Sequence, residues 1–104
     1  MHPYRSHNCG ELRDANAGET VRLSGWVHRK RDHGNLMFVD LRDPFGITQC
    51  VIDTSSQIFE AVERARVESV LTLSGPVVTR SQETINDSIP TGRVEVQITE
   101  VKVE

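Results

Sequence analysis

The chain has 104 residues, of which 37% are hydrophobic, 26% charged and 5% aromatic, with 12 Lys+Arg against 15 Asp+Glu and a formal net charge of −3. This length fits one domain, leaves no room for a catalytic unit beside a binding unit, and suffices for a core without metal or disulfide staples. The net charge excludes a protein that grips nucleic acid by bulk electrostatics, which takes many Lys and Arg to displace counterions.

The average hides a gradient. Residues 1–50 carry 7 basic and 6 acidic side chains, residues 51–104 carry 5 and 9, and Arg29, Lys30 and Arg31 are consecutive. Any contact with a polyanion is therefore small and positioned. Cys9 and Cys50 form no Cys-x-x-Cys pair and have no His at ligand spacing, so the expectation is two reduced, structural thiols and no metal. No apolar run reaches the length of about 18 residues that a membrane span needs, and the start MHPYRSHNCG lacks the apolar centre of a signal peptide. A cytoplasmic protein without a membrane partner is expected.

Val, Ile and Thr total 27 residues against 6 Leu, which favours strands. Residues 8–18 are compatible with a short helix or a loop. From Thr20 the sequence TVRLSGWVHRKRD alternates, with Val21, Leu23 and Val27 on one side, and Gly25 suggests a bend or bulge in a long first strand. In a straight strand Arg31 shares the side of Val27, which belongs inside; it faces outward only if a bulge precedes it. The turn Asp32-His33-Gly34-Asn35 leads to a second strand, NLMFVDLRD, and Asp43-Pro44-Phe45-Gly46 to a third, ITQCVID. Thr54-x-x-Gln57 is a capping box for a helix carrying Ile58, Ala61, Val62 and Ala65 inward as far as about Arg66. The fourth strand, SVLTLSGPVVTR, holds Pro76, tolerable at an edge or bulge. A polar loop, Ser81 to Gly92, precedes RVEVQITEVKVE, a fifth strand whose parity shifts after Ile98.

Three strands, one helix between strands 3 and 4, and two more strands make a mainly β, five-stranded OB-fold Greek-key barrel, for residues 1–104 as one domain. An SH3-like barrel is the rival, but it needs no inserted helix. On an OB barrel the face of strands two and three binds oligonucleotides or sugars. Phe38 on strand two offers a plane for an unpaired base, Gln49 on strand three a donor and an acceptor, and Arg29, Lys30 and Arg31 cationic donors. The same residues also suit a core phenylalanine and a solvated polar face. Asp40 and Asp43 near Arg42 read as ion-paired structure, and no phosphate loop or H-E-x-x-H occurs, so the chain itself is expected to be non-catalytic.

The run GWVHRKRDHGNLMFVDLRDPFGITQCV at 25–51, with HNCGEL at 7–12 and TINDSIPTGRVEV at 84–96, resembles the N-terminal anticodon-binding domain of bacterial-type aspartyl-tRNA synthetases. The resemblance implies recognition of the aspartate tRNA anticodon loop, G (or queuosine)-U-C. It places Phe38 on the central U as a stack, Gln49 on that base's Watson–Crick edge, Arg31 on the third base and Glu95 on the first. Arg80 and Asn86 are implied as further base or backbone contacts. His33 resembles the forms that also charge asparagine tRNA, which adds tRNA-Asn as a second implied partner. The chain departs from the family pattern at Asp87, where Pro is common, and at Arg93, where an acidic residue is common. The F-R-x-E and Gly-rich Asp-Arg motifs of the class II catalytic core are absent. The resemblance thus implies that the catalytic domain is absent and that no cofactor binds this segment. Aspartate activation with ATP and Mg²⁺ and the homodimer contacts then fall to the rest of the parent enzyme, and the isolated domain is expected to be a monomer. A general single-stranded nucleic-acid module and a protein-interaction barrel remain the alternatives.

Overall fold

The structure, a computed structural model, describes residues 5–103. Its elements run β1 (Thr20–Asp32), β2 (Leu36–Asp43), β3 (Gly46–Asp53), α1 (Phe59–Arg64), β4 (Val70–Thr79), β5 (Val94–Gln97) and β6 (Glu100–Val103). Single 3-10 turns at Asp14–Asn16 and Gln82–Thr84 complete them. The sheet order is β1-β2-β3-β5-β4-β6, and β1 also pairs antiparallel with β4, which closes the barrel. β5 and β6 are two halves of the fifth strand: β5 lies against Val77–Thr79 and β6 against Leu71–Ser74. The parity shift after Ile98 marks that break. Gly75 stands opposite it because a Cβ there would lie 1.7 Å from the Gln97 carbonyl oxygen, and Pro76 follows at the same interruption.

The long first strand serves two neighbours. Thr20–Trp26 pair with β4 and Trp26–Asp32 with β2. Gly25 sits at the changeover, where a Cβ would come within 2.3 Å of the Arg42 carbonyl oxygen. Past it, the β1–β2 register shifts between Val27 and Arg29, leaving His28 as an extra residue. A bulge of this kind reverses the parity of everything after it. Val27 is fully buried, and beyond the bulge Lys30 pairs with the core residue Val39 while Arg31 pairs with Phe38.

The helix departs from expectation. It is six residues long, begins after Ile58 and has no side-chain cap, so the Thr54-Gln57 capping box does not form. Asp53 intervenes: its Oδ1 accepts from the Ser55 backbone N–H at 2.8 Å and from the Ser55 hydroxyl at 2.7 Å. The Thr54 N–H donates to the Asn35 carbonyl at 2.9 Å. Ala61 is exposed; Val62 and Ala65 are buried, and Ile58 and Phe59 pack beside them.

Residues 8–18 hold only a 3-10 turn, yet Cys9 and Leu12 are fully buried. Asp43 fixes this segment. Its Oδ2 accepts from the Cys9 N–H at 2.8 Å and pairs with Arg5 at 3.2 Å, while Oδ1 accepts from the Phe45 N–H at 2.8 Å and the Gly46 N–H at 3.2 Å. Thr48 Oγ1 adds a bond to the Cys9 carbonyl at 2.7 Å. Cys9 and Cys50 are free and buried, and burial pushes both thiols up, away from the reactive thiolate. The core is the inward line of β1 to β5, with Leu23, Leu41, Leu71, Leu73, Val39 and Val96 fully enclosed, and the partly buried Val101 of β6 packs against it. Among the described residues no helix is long and apolar enough to cross a membrane.

Candidate nucleic-acid interface

The outward faces of β1, β2 and β3 and the loop after β4 enclose a groove of about 500 Å³. Arg31, Asp40 and Gln49 on its floor begin a hydrogen-bonded chain that reaches across four strands. Arg31 Nη2 donates to Asp40 Oδ1 at 2.9 Å and to Gln49 Oε1 at 2.8 Å, and Gln49 Nε2 donates to Glu95 Oε1 at 2.8 Å. Strand register explains the meeting: Arg31 is opposite Phe38, and Asp40 is opposite Gln49. Without the His28 bulge Arg31 would point into the barrel. Among the described residues Arg31 Nε is buried with no hydrogen-bond partner, a donor group to which they offer no acceptor.

The Phe38 ring is half-buried and lines the groove. The Arg31 guanidinium lies 5.5 Å from its centroid, and the His33 ring meets it edge-on at 5.1 Å and 87°. Both contacts favour an aromatic held in place at a wet surface. The outcome differs from a core phenylalanine: Phe38 shares its outward face with polar groups.

The loop 81–92 forms the opposite wall. Arg80 anchors it, 8% exposed, donating through Nε to the Val94 carbonyl and through Nη1 to the Thr84 carbonyl, each at 3.0 Å. Desolvation lowers the Arg80 pKa from its ordinary value, opposed by the Glu95 and Asp40 carboxylates. The Asn86 N–H donates to the Gly92 carbonyl at 2.9 Å. Gly92 is obligatory there, since a Cβ would stand 1.6 Å from the Asn86 carbonyl oxygen. Thr91 Oγ1 ties the loop to the Ile47 carbonyl. The two departures from the family pattern meet each other: Arg93 Nε is 3.2 Å from Asp87 Oδ1.

Of the residues singled out in the sequence, Arg29, Arg31, His33, Phe38 and Gln49 line the groove together with Arg80 and Asn86. Glu95 joins them through Gln49. Lys30 does not: it takes the core side of β1 and its Nζ donates to the Glu63 carbonyl at 2.7 Å, at the end of α1. Neighbours on a strand alternate faces, and the bulge decides that Arg31 rather than Lys30 takes the outward one. Asp40 and His28 also line the groove. Asp40 pairs with Arg31 rather than with Arg42 two positions on, and only register, which sequence spacing alone does not supply, connects them.

A closed barrel of this strand order, with a polar groove and one aromatic on the face of its second and third strands, defines the OB class of ligand-reading barrels. Residues 21–104 match the tRNA anti-codon family, described as an OB-fold nucleic acid binding domain. The chain belongs to that family. It is 64% identical over 104 residues to the aspartate–tRNA(Asp/Asn) ligase of Paramagnetospirillum magneticum, covering 100% of this chain and 12% of that protein. It is 57% identical to the protein of the same name in Zymomonas mobilis, spanning 17% of its length. Among solved structures, asparaginyl-tRNA synthetase from Pyrococcus horikoshii superposes with a TM-score of 0.77 at 28% identity, over 93% of this chain and 22% of that one. Aspartyl tRNA synthetase from Entamoeba histolytica gives 0.78 at 26% identity, over 91% and 20%. The chain thus spans under a fifth of the curated relatives' length.

Proposed function

We propose that this chain is the anticodon-reading domain of an aspartate–tRNA ligase and that its groove receives the unstacked G-U-C bases of aspartate tRNA. The observation that carries this reading is the meeting of Arg31, Gln49 and the Phe38 ring in one groove, with Glu95 hydrogen-bonded to Gln49. Phe38 stacks on the central U. Gln49 retains one N–H and one oxygen lone pair for that base's Watson–Crick edge. Arg31 donates to O2 and N3 of the third base, C, and Glu95 accepts from N1 and N2 of the first base, G. Arg29 and Asn86 meet the backbone or flanking bases, and buried Arg80 holds the wall against which they close.

The parent enzyme attaches aspartate to tRNA using ATP and Mg²⁺ in its remaining length, acts in the cytoplasm and dimerises through that remainder. The isolated domain is a monomer. His33 on the Phe38 ring, together with the Asp/Asn designation of the relatives, supports acceptance of asparagine tRNA as well.

Calorimetric titration with the GUC stem-loop and its single-base variants tests the reading, with the asparagine anticodon loop as competitor. The expected result is a preference for GUC with a shallow salt dependence, and measurable competition. Indifference to base identity with steep loss of affinity in salt would instead identify a general single-strand binder. No binding at all would leave a protein-interaction barrel.

A further inference from the structure

A glutamine side chain alone does not distinguish uracil from cytosine. Uracil presents an N–H donor beside a carbonyl acceptor, cytosine an acceptor beside an amino donor, and turning the amide over converts a partner for one into a partner for the other. The Gln49 amide is not free to turn. Its Oε1 accepts a hydrogen bond from the Arg31 guanidinium at 2.8 Å, and its Nε2 donates one to the Glu95 carboxylate at 2.8 Å. Arginine only donates and an ionised carboxylate only accepts, so these neighbours leave one orientation. Arg31 is itself held by Asp40 at 2.9 Å, and Gln49 is 5% exposed, with little water to stand in for a lost partner.

We infer that Arg31 and Glu95, besides any base they touch, set the choice of uracil over cytosine at the central position by fixing which way round the Gln49 amide sits. This rests on the anticodon-reading function proposed above. In the observed orientation Oε1 accepts from uracil N3–H while Nε2 donates to a neighbouring uracil carbonyl. Cytosine brings its N3 lone pair against Oε1, and turning the amide to suit it sets N–H against guanidinium and oxygen against carboxylate. The part-buried Arg31 and Glu95 then lose the partner that Gln49 gave them, the situation that makes polar sites reject a near-isostere. Arg31 and Glu95 act here as positioning residues, and Gln49 as the group that touches the base.

The test compares the whole chain with its Glu95→Gln variant, using stem-loops that differ only in U or C at the centre. Any lost contact to the first base weakens both loops alike and cancels in the ratio. The wild type is expected to prefer U by about tenfold or more, the scale of a two-point base contact. In Glu95→Gln the ratio falls severalfold, since the new amide can donate to a turned Oε1, and adding Arg31→Ala brings it to parity. A ratio unchanged in both variants overturns the inference, as does a wild type that binds the loop without preferring U.

If wild type binds neither loop, the functional reading fails, and the free protein still tests the lock. The Gln49 side-chain amide should show an NMR order parameter near that of rigid backbone, about 0.85, and drop below about 0.6 in Glu95→Gln. A mobile amide in the wild type overturns the inference even if Glu95→Gln does not fold.

Discussion

Phe38 shows how far a residue's chemistry is set by the face it occupies. It alternates with the buried Met37 and Val39 on β2, so one strand supplies core and ligand platform by period two alone. Phe38→Ala should weaken GUC stem-loop binding by about 1 to 3 kcal/mol, the worth of a base stack. Stability should change by less than the roughly 3 to 5 kcal/mol typical of a core phenylalanine. Titration and a thermal melt on the same variant separate the two, and unchanged affinity would remove the stack from the reading. Sequence was informative at this scale where residue type decides, as for Phe38 and Gln49. It was uninformative for Lys30 and Arg31, identical in charge and adjacent, which alternate by position while the bulge decides which of them faces the groove.

At the scale of elements, the strands follow from β-branched composition and alternation, and the turn residues bound them. What spacing could not supply was register. The extra residue His28 is worth one position of the ladder, and one position exchanges the two faces. Deleting His28 should therefore bring Lys30 outward, turn Arg31 toward the barrel and lower stem-loop affinity by more than about tenfold, a loss on the scale of a two-point base contact. Circular dichroism would confirm that the β content persists, and wild-type affinity would show that the bulge does not aim Arg31. The helix starts later than its Thr54-x-x-Gln57 signature for a local reason. Asp53 reaches the Ser55 N–H and hydroxyl first, and a short acidic side chain closing its own turn displaces a threonine that needs an extended residue before a helix.

For the whole molecule, the segment from Arg5 to Cys9 is tied to the barrel by Asp43, which bonds to Arg5, Cys9, Phe45 and Gly46 at once. Asp43→Ala leaves three backbone N–H groups without their acceptor, and the expected cost is about 3 kcal/mol, from roughly 1 kcal/mol or more per unsatisfied group. In a domain of this size that corresponds to a fall in Tm of more than about 10 °C. Calorimetry would measure it, and a fall of only a few degrees would mean that the segment packs without its anchor. The anchor was visible in sequence only as an acidic residue near an arginine, since its partners lie up to 38 positions away.

β1 belongs both to the seam that shuts the barrel, along β4, and to the wall that meets the groove, along β2. One ribbon thus does the work of a zip and of a fingertip. Whatever grips its far end also cinches the seal, and a redesign of the gripping end for another ligand has to leave the closure of the whole vessel intact.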